Sequence, residues 1–238
     1  MTVIDIFIQD VNEFQGEFNN AIHAGQRLCF ITRGKELQIE ARDALAPIKT
    51  KAEQLKERAI AHEYEDAANA LLSFEKMTAS LTHELDMWIA IKEDKYAQAW
   101  DFLVNAQMAA IDAMRAHSIA DHLEGYSAHL SALERHIFPD HGFLSIGGIV
   151  QKSECSICGQ EHGTCDHLVG KPYMGKLCYE IISEFELEEM SFVKVPGNKH
   201  CRVINFTDND GHMIDTFTLR VVPEESSPRN DVPGNGND

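Results

Sequence analysis

Positive charge is scarce in this chain: 21 Lys and Arg stand against 38 Asp and Glu, a formal net charge of −17 over 238 residues. A surface of that sign repels phosphate backbones, which argues against direct nucleic-acid binding. No Lys/Arg cluster is present that would build a local basic face. Long apolar runs are missing too, none approaching the roughly 18 residues of a membrane helix. The opening M-T-V-I-D-I-F-I-Q-D sets acids inside its apolar stretch and has no basic start, so no secretory signal is expected. These absences predict a soluble, cytoplasmic chain with no membrane partner. Complete catalytic signatures are also lacking: there is no G-x-S-x-G, no G-x-x-x-x-G-K-[ST] and no G-x-G-x-x-G. His62-Glu63 and His83-Glu84 open an H-E-x-x-H pattern, yet the closing positions are Asp66 and Met87. Neither can place two imidazoles on one helical face.

What the chain does have is a compact set of soft ligands. Residues 155 to 167 read C-S-I-C-G-Q-E-H-G-T-C-D-H, a C-x-x-C pair followed by C-x-H. Cys155, Cys158, Cys165 and His167 have the residue types and spacing of a tetrahedral zinc site, and Gly159 lets the backbone turn so that both sulfurs of the first pair face one point. In a chain expected to be intracellular, clustered cysteines favour metal over disulfides. Catalytic zinc keeps an open position, whereas four close ligands leave none, so one structural ion is expected. His162 is an alternative to His167. Cys178 and Cys201 are read as small apolar groups in strands, or as further thiols that join the site.

Residues 1–140 read as helical almost throughout. Ile4, Ile8, Val11, Phe14 and Phe18 mark an amphipathic helix, and Gly25 and Gly34 bracket a segment that fits a short strand or a second helix. Pro47 predicts a helix start or kink. Residues 48–82 are rich in strong helix formers. Tyr64-E-D-Ala67 echoes Tyr96-A-Q-Ala99, though generic small-residue helix packing accounts for it better than a repeat array. Trp88 and Trp100 are expected to anchor the core between helices. The pattern Ile119, Leu123, Tyr126, Leu130, Leu133, Ile137 predicts one helix over 118–138 with a narrow seam. His122, His129 and His136 flank it seven apart, about 10.5 Å of helical rise, which is too far for two of them to share an ion. They are a polar flank to the seam, or a pH-sensitive helix interface.

After Pro139, Asp140 and Gly142 the composition turns to Val, Ile, Phe and Thr, with Pro-Gly-Asn and Asn-Asp-Gly as turn signals. An antiparallel meander is expected over 141–222, with 176–185 ambiguous between strand and helix. Residues 223–238 offer little to bury and read as a disordered acidic tail. The predicted class is α+β: an N-terminal antiparallel helical bundle or helix-pair domain, then a small zinc-stapled antiparallel β module.

The stretch C-S-I-C-G…C-D-H-L-V-G-K-P-Y-M-G-K-L-C, with E-M-S-F-V-K-V-P and C-R-V beyond it, resembles a module of uncharacterised bacterial and phage proteins over residues 143–205. The resemblance rests on the Cys/His set with Gly170, Tyr173 and Gly175, and it implies zinc binding by Cys155, Cys158, Cys165 and His167. The C-x-H half is also similar to zinc domains of the SWIM type, which begin with C-x-C instead. No activity follows from either likeness. The sequence therefore points to a non-enzymatic interaction or adaptor protein that binds another protein through its helical domain. An accessory component of a nucleic-acid-linked or phage-defence complex comes second, and a metal-dependent hydrolase third.

Overall fold

The computed structural model describes residues 3–222, so the tail expected from 223 onward lies outside the described residues. Five helices come first: α1 (Val3–Gln26), α2 (Lys35–Ala61), α3 (Glu65–Lys92), α4 (Tyr96–Ala116) and α5 (Glu124–Ile137). Small antiparallel sheets follow, as an α+β chain requires. α3 is buried along most of its length, because α2 and α4 flank it and α1 and residues 118–123 pack against it as well. The two tight connections repeat one backbone device. Glu63 and Asp94 take φ of 58° and 56°, and the N–H groups of Tyr64 and Lys95 return to the carbonyls of Ala59 and Ala90, both at 2.9 Å. The two hairpins match Glu63 to Asp94 and Tyr64 to Lys95, one residue out of step with the Tyr64/Tyr96 echo, so the echo does not mark a structural repeat.

Two apolar clusters hold the helices together. Phe14, Phe18 and Phe74 meet edge to face, with centroids 4.6 Å apart for Phe18–Phe74 and 5.5 Å for Phe14–Phe74. Trp88 and Trp100 lie in the other cluster with Leu85, Leu103 and Leu130, as the sequence predicts. Several local expectations change. The buried stripe of α1 is Phe7, Phe14 and Phe18, while Ile4 and Ile8 are half exposed; three rings bury more surface than the aliphatic positions beside them. Pro47 sits inside a continuous α2. Residues 27–34 are neither strand nor helix but a loop, fixed by the fully buried Gln38, whose Nε2 donates to the carbonyls of Leu28 and Phe30. The predicted 118–138 helix begins as a 3-10 turn, Ser118–Leu123, and becomes α-helical only from Glu124.

The histidine stripe does three different things. His122 bonds the Ile119 carbonyl at 2.9 Å, His136 is exposed, and His129 Nε2 lies 3.3 Å from the buried carboxylate of Glu84. Tyr126 donates to the other Glu84 oxygen at 2.7 Å. One buried carboxylate thereby ties α5 to α3.

In the β region, β1 (Phe143–Cys155) pairs antiparallel with β4 (Glu180–Val193), leaving two short hairpins: β2 (Pro172–Tyr173) with β3 (Lys176–Leu177), and β5 (Asn205–Thr207) with β6 (Met213–Asp215). The strands therefore pair two by two and not as one meander, and 180–193 resolves the ambiguity at 176–185 towards strand. The β1–β4 ribbon bends at register shifts, one of them at Gly147/Gly148. A side chain at Gly148 would meet the Glu186 carbonyl at 2.1 Å, so the bend demands glycine there.

Register assigns the two ribbon faces. On one, Leu144 pairs with Phe192, Ile146 with Met190 and Val150 with Phe185, while Leu187 and Ile182 stand opposite Gly148 and Ser153. On the other lie Glu154, Glu184, Glu186 and Glu189, together with the half-exposed Ile149 and Ile181. Among the described residues no helix packs along the ribbon. Its Phe143 end is anchored in an aromatic hub, where Trp100 meets Phe138, His141, Phe143 and Phe217, and Trp100 Nε1 donates to the Lys199 carbonyl at 2.9 Å. Trp100 is thus more than a helix anchor; it joins the helices to the sheet region.

The Glu84 network carries a pH dependence. The bond to Glu84 raises the His129 pKa above its ordinary 6.5, outweighing partial burial. A group raised on folding stabilises fully below its unfolded pKa, about 6.5, and that contribution fades as pH rises through the higher folded value. That contribution works against His83 and His141, whose pKa burial lowers and which gain stability as pH rises, so His129→Gln should make the melting temperature rise more, or fall less, between mildly acidic and mildly alkaline pH than in the unchanged chain. Tyr126→Phe, which removes one donor to the buried carboxylate, should cost about 1–3 kcal/mol at any pH in denaturant titration.

Candidate metal centre

The end of β1 delivers Cys155 into the protein, and the chain then reverses at once. The Gly159 N–H returns to the Cys155 carbonyl at 2.8 Å, with Gly159 at φ +72°. Only a residue free of a Cβ enters this conformation cheaply. The same reversal points backbone N–H groups at sulfur: Ile157 donates to Cys155 Sγ at 3.4 Å. The bond from the Cys158 backbone, then that from Ile157, hold the Cys155 thiol down to about 6 against the opposing effect of desolvation. Donors aimed at a sulfur favour its thiolate, the form that ligates metals.

A second turn, with Gly163 at φ +85°, brings the C-x-H half back over the first. The ligand atoms of Cys155, Cys158, Cys165 and His167 then all lie within 4.8 Å of one another, and this group could hold a metal ion. Cys155 is buried, Cys165 and His167 are half buried, and Cys158 faces solvent. His167 adds an independent sign: its Nδ1 is buried without a hydrogen-bond partner. A buried imidazole nitrogen left unpaired is costly unless something else occupies its lone pair, as a metal would. The ring stands edge-on to Tyr173 with centroids 4.6 Å apart, and the Tyr173 hydroxyl accepts from the Leu168 N–H at 2.9 Å.

Tyr173 is placed by the β2–β3 hairpin, whose turn residues Met174 and Gly175 both take positive φ, 44° and 74°. This is the hairpin twist that matches flanking strands. The hairpin docks on the helices: the Gly175 N–H donates to Asn69 Oδ1 at 2.8 Å and the Met174 N–H to Glu65 Oε1 at 3.2 Å. The segment from Gly170 to Lys176 thus leads from the cluster to the next strand, as its sequence suggests, and also locks the cluster to α3. Nearby, Leu177 packs with Leu72 and Ala116, and the Tyr179 hydroxyl donates to Asp112 at 3.0 Å.

Of the alternative ligands, the two thiols differ sharply. Cys178 is buried with its Sγ 3.7 Å from Cys155 Sγ, and burial together with that sulfur pushes its thiol pKa up. Cys201, expected as a packed strand residue, is instead exposed, in the turn that follows Asn198; the short β5 begins only at Asn205 and leaves it no sheet to pack into. His162 donates its backbone N–H to the Ser153 carbonyl and stays outside the four-atom group. The proximity of Cys178 was not readable from its spacing, because only the β1–β4 pairing returns the chain to Cys155.

The incomplete H-E-x-x-H fragments share no site. His62 and Glu63 form the α2–α3 turn, His83 stacks against Phe102 with its Nδ1 buried, and Glu84 faces Tyr126 and His129. A second possible group among the described residues, Asp208, Asp210 and His212, is a turn that satisfies itself, since Asp208 Oδ1 accepts from the backbone N–H of both Asp210 and His212. Among the described residues no helix is long and apolar enough to cross a membrane.

No family model matches this chain, and neither do curated proteins or solved structures. Docking of the cluster onto α3 makes a specific demand at Gly175. A Cβ there would lie 3.1 Å from Lys56 Cγ and 3.4 Å from the Ala68 carbonyl, in a left-handed conformation. Gly175→Ala should therefore cost about 1–2 kcal/mol. Limited proteolysis should show new cleavage between residues 168 and 178, with the helical signal in circular dichroism unchanged.

Proposed function

We propose that the chain is a non-enzymatic interaction protein whose β region is stapled by one structural zinc ion. The observation that carries this reading is the closed donor set, three thiols and one imidazole with an orphaned buried nitrogen. Zinc accepts this mixture of soft and borderline ligands, at about 2.3 Å from sulfur and about 2.0 Å from imidazole nitrogen. With four protein ligands the ion has no position for water or substrate, so it would act through folding free energy and not as a Lewis acid. Cys178 is read as the thiol that hydrogen-bonds the Cys155 sulfur, with His167 as fourth ligand.

The staple has a clear mechanical task. Residues 156–179 connect β1 to β4 where a simple hairpin would use a short turn, and they have almost no apolar core of their own. Cross-linking them through one ion fixes the end of the ribbon. The surface assigned to a partner is the apolar face of that ribbon and not the helical domain, whose large apolar side chains are mostly committed to the two core clusters.

Elemental analysis of the purified chain should find one zinc per molecule, lost in Cys155→Ser and retained in Cys178→Ser. A strong chelator should open residues 143–222 to protease while most of the helical signal persists. A β region that stays protected after complete zinc removal would contradict the staple.

A further inference from the structure

The β1–β4 ribbon shows eight large apolar side chains on one face, each between 39% and 68% exposed. That pattern has no purpose in an isolated two-stranded ribbon, which is marginal in water even with one face covered. We infer that this face packs against the same face of a second copy of the chain, ribbon on ribbon about a two-fold axis. The inference rests on the reading of the chain as an interaction protein and names its partner.

Three observations select a second copy. The first is area. A bare large apolar side chain offers roughly 150–250 Å², so the face exposes on the order of 800 Å², close to the roughly 800 Å² per partner of a standard stable interface. The second is that among the described residues no element is laid over it. Residues 223–238 carry Val232 as their single aliphatic side chain. The third is the distribution of charge. Glu184, Glu186 and Glu189 all occupy the opposite face. Face-to-face packing of Ile146, Val150, Phe185, Leu187, Met190 and Phe192 therefore keeps the acids of the two copies on the outer surfaces of the assembly. Pairing at the edge, β4 against β4, would instead set glutamate rows side by side, the arrangement by which edge strands resist association. A two-fold axis makes the contact self-complementary and closes it at two copies.

The net charge of −17 adds a signature. Two such chains repel at long range, so added salt should strengthen their association, whereas it would weaken binding of a cationic partner.

Sedimentation equilibrium of the zinc-loaded full chain at low and high salt tests the inference. The expected result is a dimer whose dissociation constant falls with salt. Leu187→Glu and Met190→Glu, each placing a carboxylate in the apolar face, should raise that constant at least about 100-fold while zinc content and melting temperature hold. Glu186→Gln, on the outer face, should leave the dimer intact. A zinc-loaded monomer at both salt concentrations would overturn the inference and leave the staple standing. So would a dimer that survives both glutamate substitutions, or flotation of a monomer with neutral phosphatidylcholine vesicles. A chain found without zinc would instead count against the staple.

Discussion

A two-stranded ribbon has no interior, and that constraint organises this molecule. Among the described residues, β1 and β4 form a long antiparallel pair with no helix laid along them and only a single bridge, Phe143 to Arg202, to a further segment at one end. Backbone hydrogen bonds between two strands do not by themselves hold such a ribbon in water. It has to be fixed at its ends. One end is gripped by the aromatic hub around Trp100, with Arg202 laid over Phe217 at 4.3 Å and the Lys199 ammonium bonded to both Glu134 and Gln107. At the other end stand the Cys/His turns and the hairpin docked on α3. The helices thus serve as a frame on which both anchorages are built.

This division explains where polar groups are buried. The Glu84 carboxylate, fully enclosed, is satisfied by Tyr126 and His129 and joins α3 to α5. Gln38, equally enclosed, holds the loop before α2 through two carbonyls. Both are networks in which each acceptor or donor has a partner, the condition under which burial of polar groups is tolerated. His167 Nδ1 breaks that condition at the one place where three thiols converge, which is why it is informative. His141 and Arg202 also retain unpaired buried nitrogens in the hub; there the surrounding rings are the physical environment, and no cluster of further ligands gathers.

The metal and the apolar face are linked in the proposed function. An ion that fixes the turn end of the ribbon also fixes the register of its two strands, and register decides which side chains share a face. A slip of one residue in β4 would carry Leu187 and Phe185 to the acidic side and Glu186 to the apolar one. The register shifts at Gly147/Gly148 and between Val150 and Ser153 keep the apolar set together along a bent ribbon. In this reading the staple serves recognition by holding a surface in place.

The sequence by itself determined most of the helices and the converging Cys/His set, because both are local. Helix formers at three- and four-residue spacing make helices whatever their neighbours, and C-x-x-C with C-x-H needs only two glycine-assisted turns to converge. It also determined the transition from helix to sheet between Ile137 and Phe143. Tertiary structure decided everything that depends on which distant segments meet. The buried face of α1 turned on Phe7, Phe14 and Phe18 finding Phe74 on α3. His129 acquired its role from Glu84, and Cys178 came to lie beside Cys155 only when β4 returned along β1. The two-faced character of the ribbon was equally invisible in the alternation of either strand, since the register shifts break the period of two. Only the pairing of one strand with the other shows that eight of its large apolar residues share a face, while Glu154, Glu184, Glu186 and Glu189 lie on the opposite one with Ile149 and Ile181.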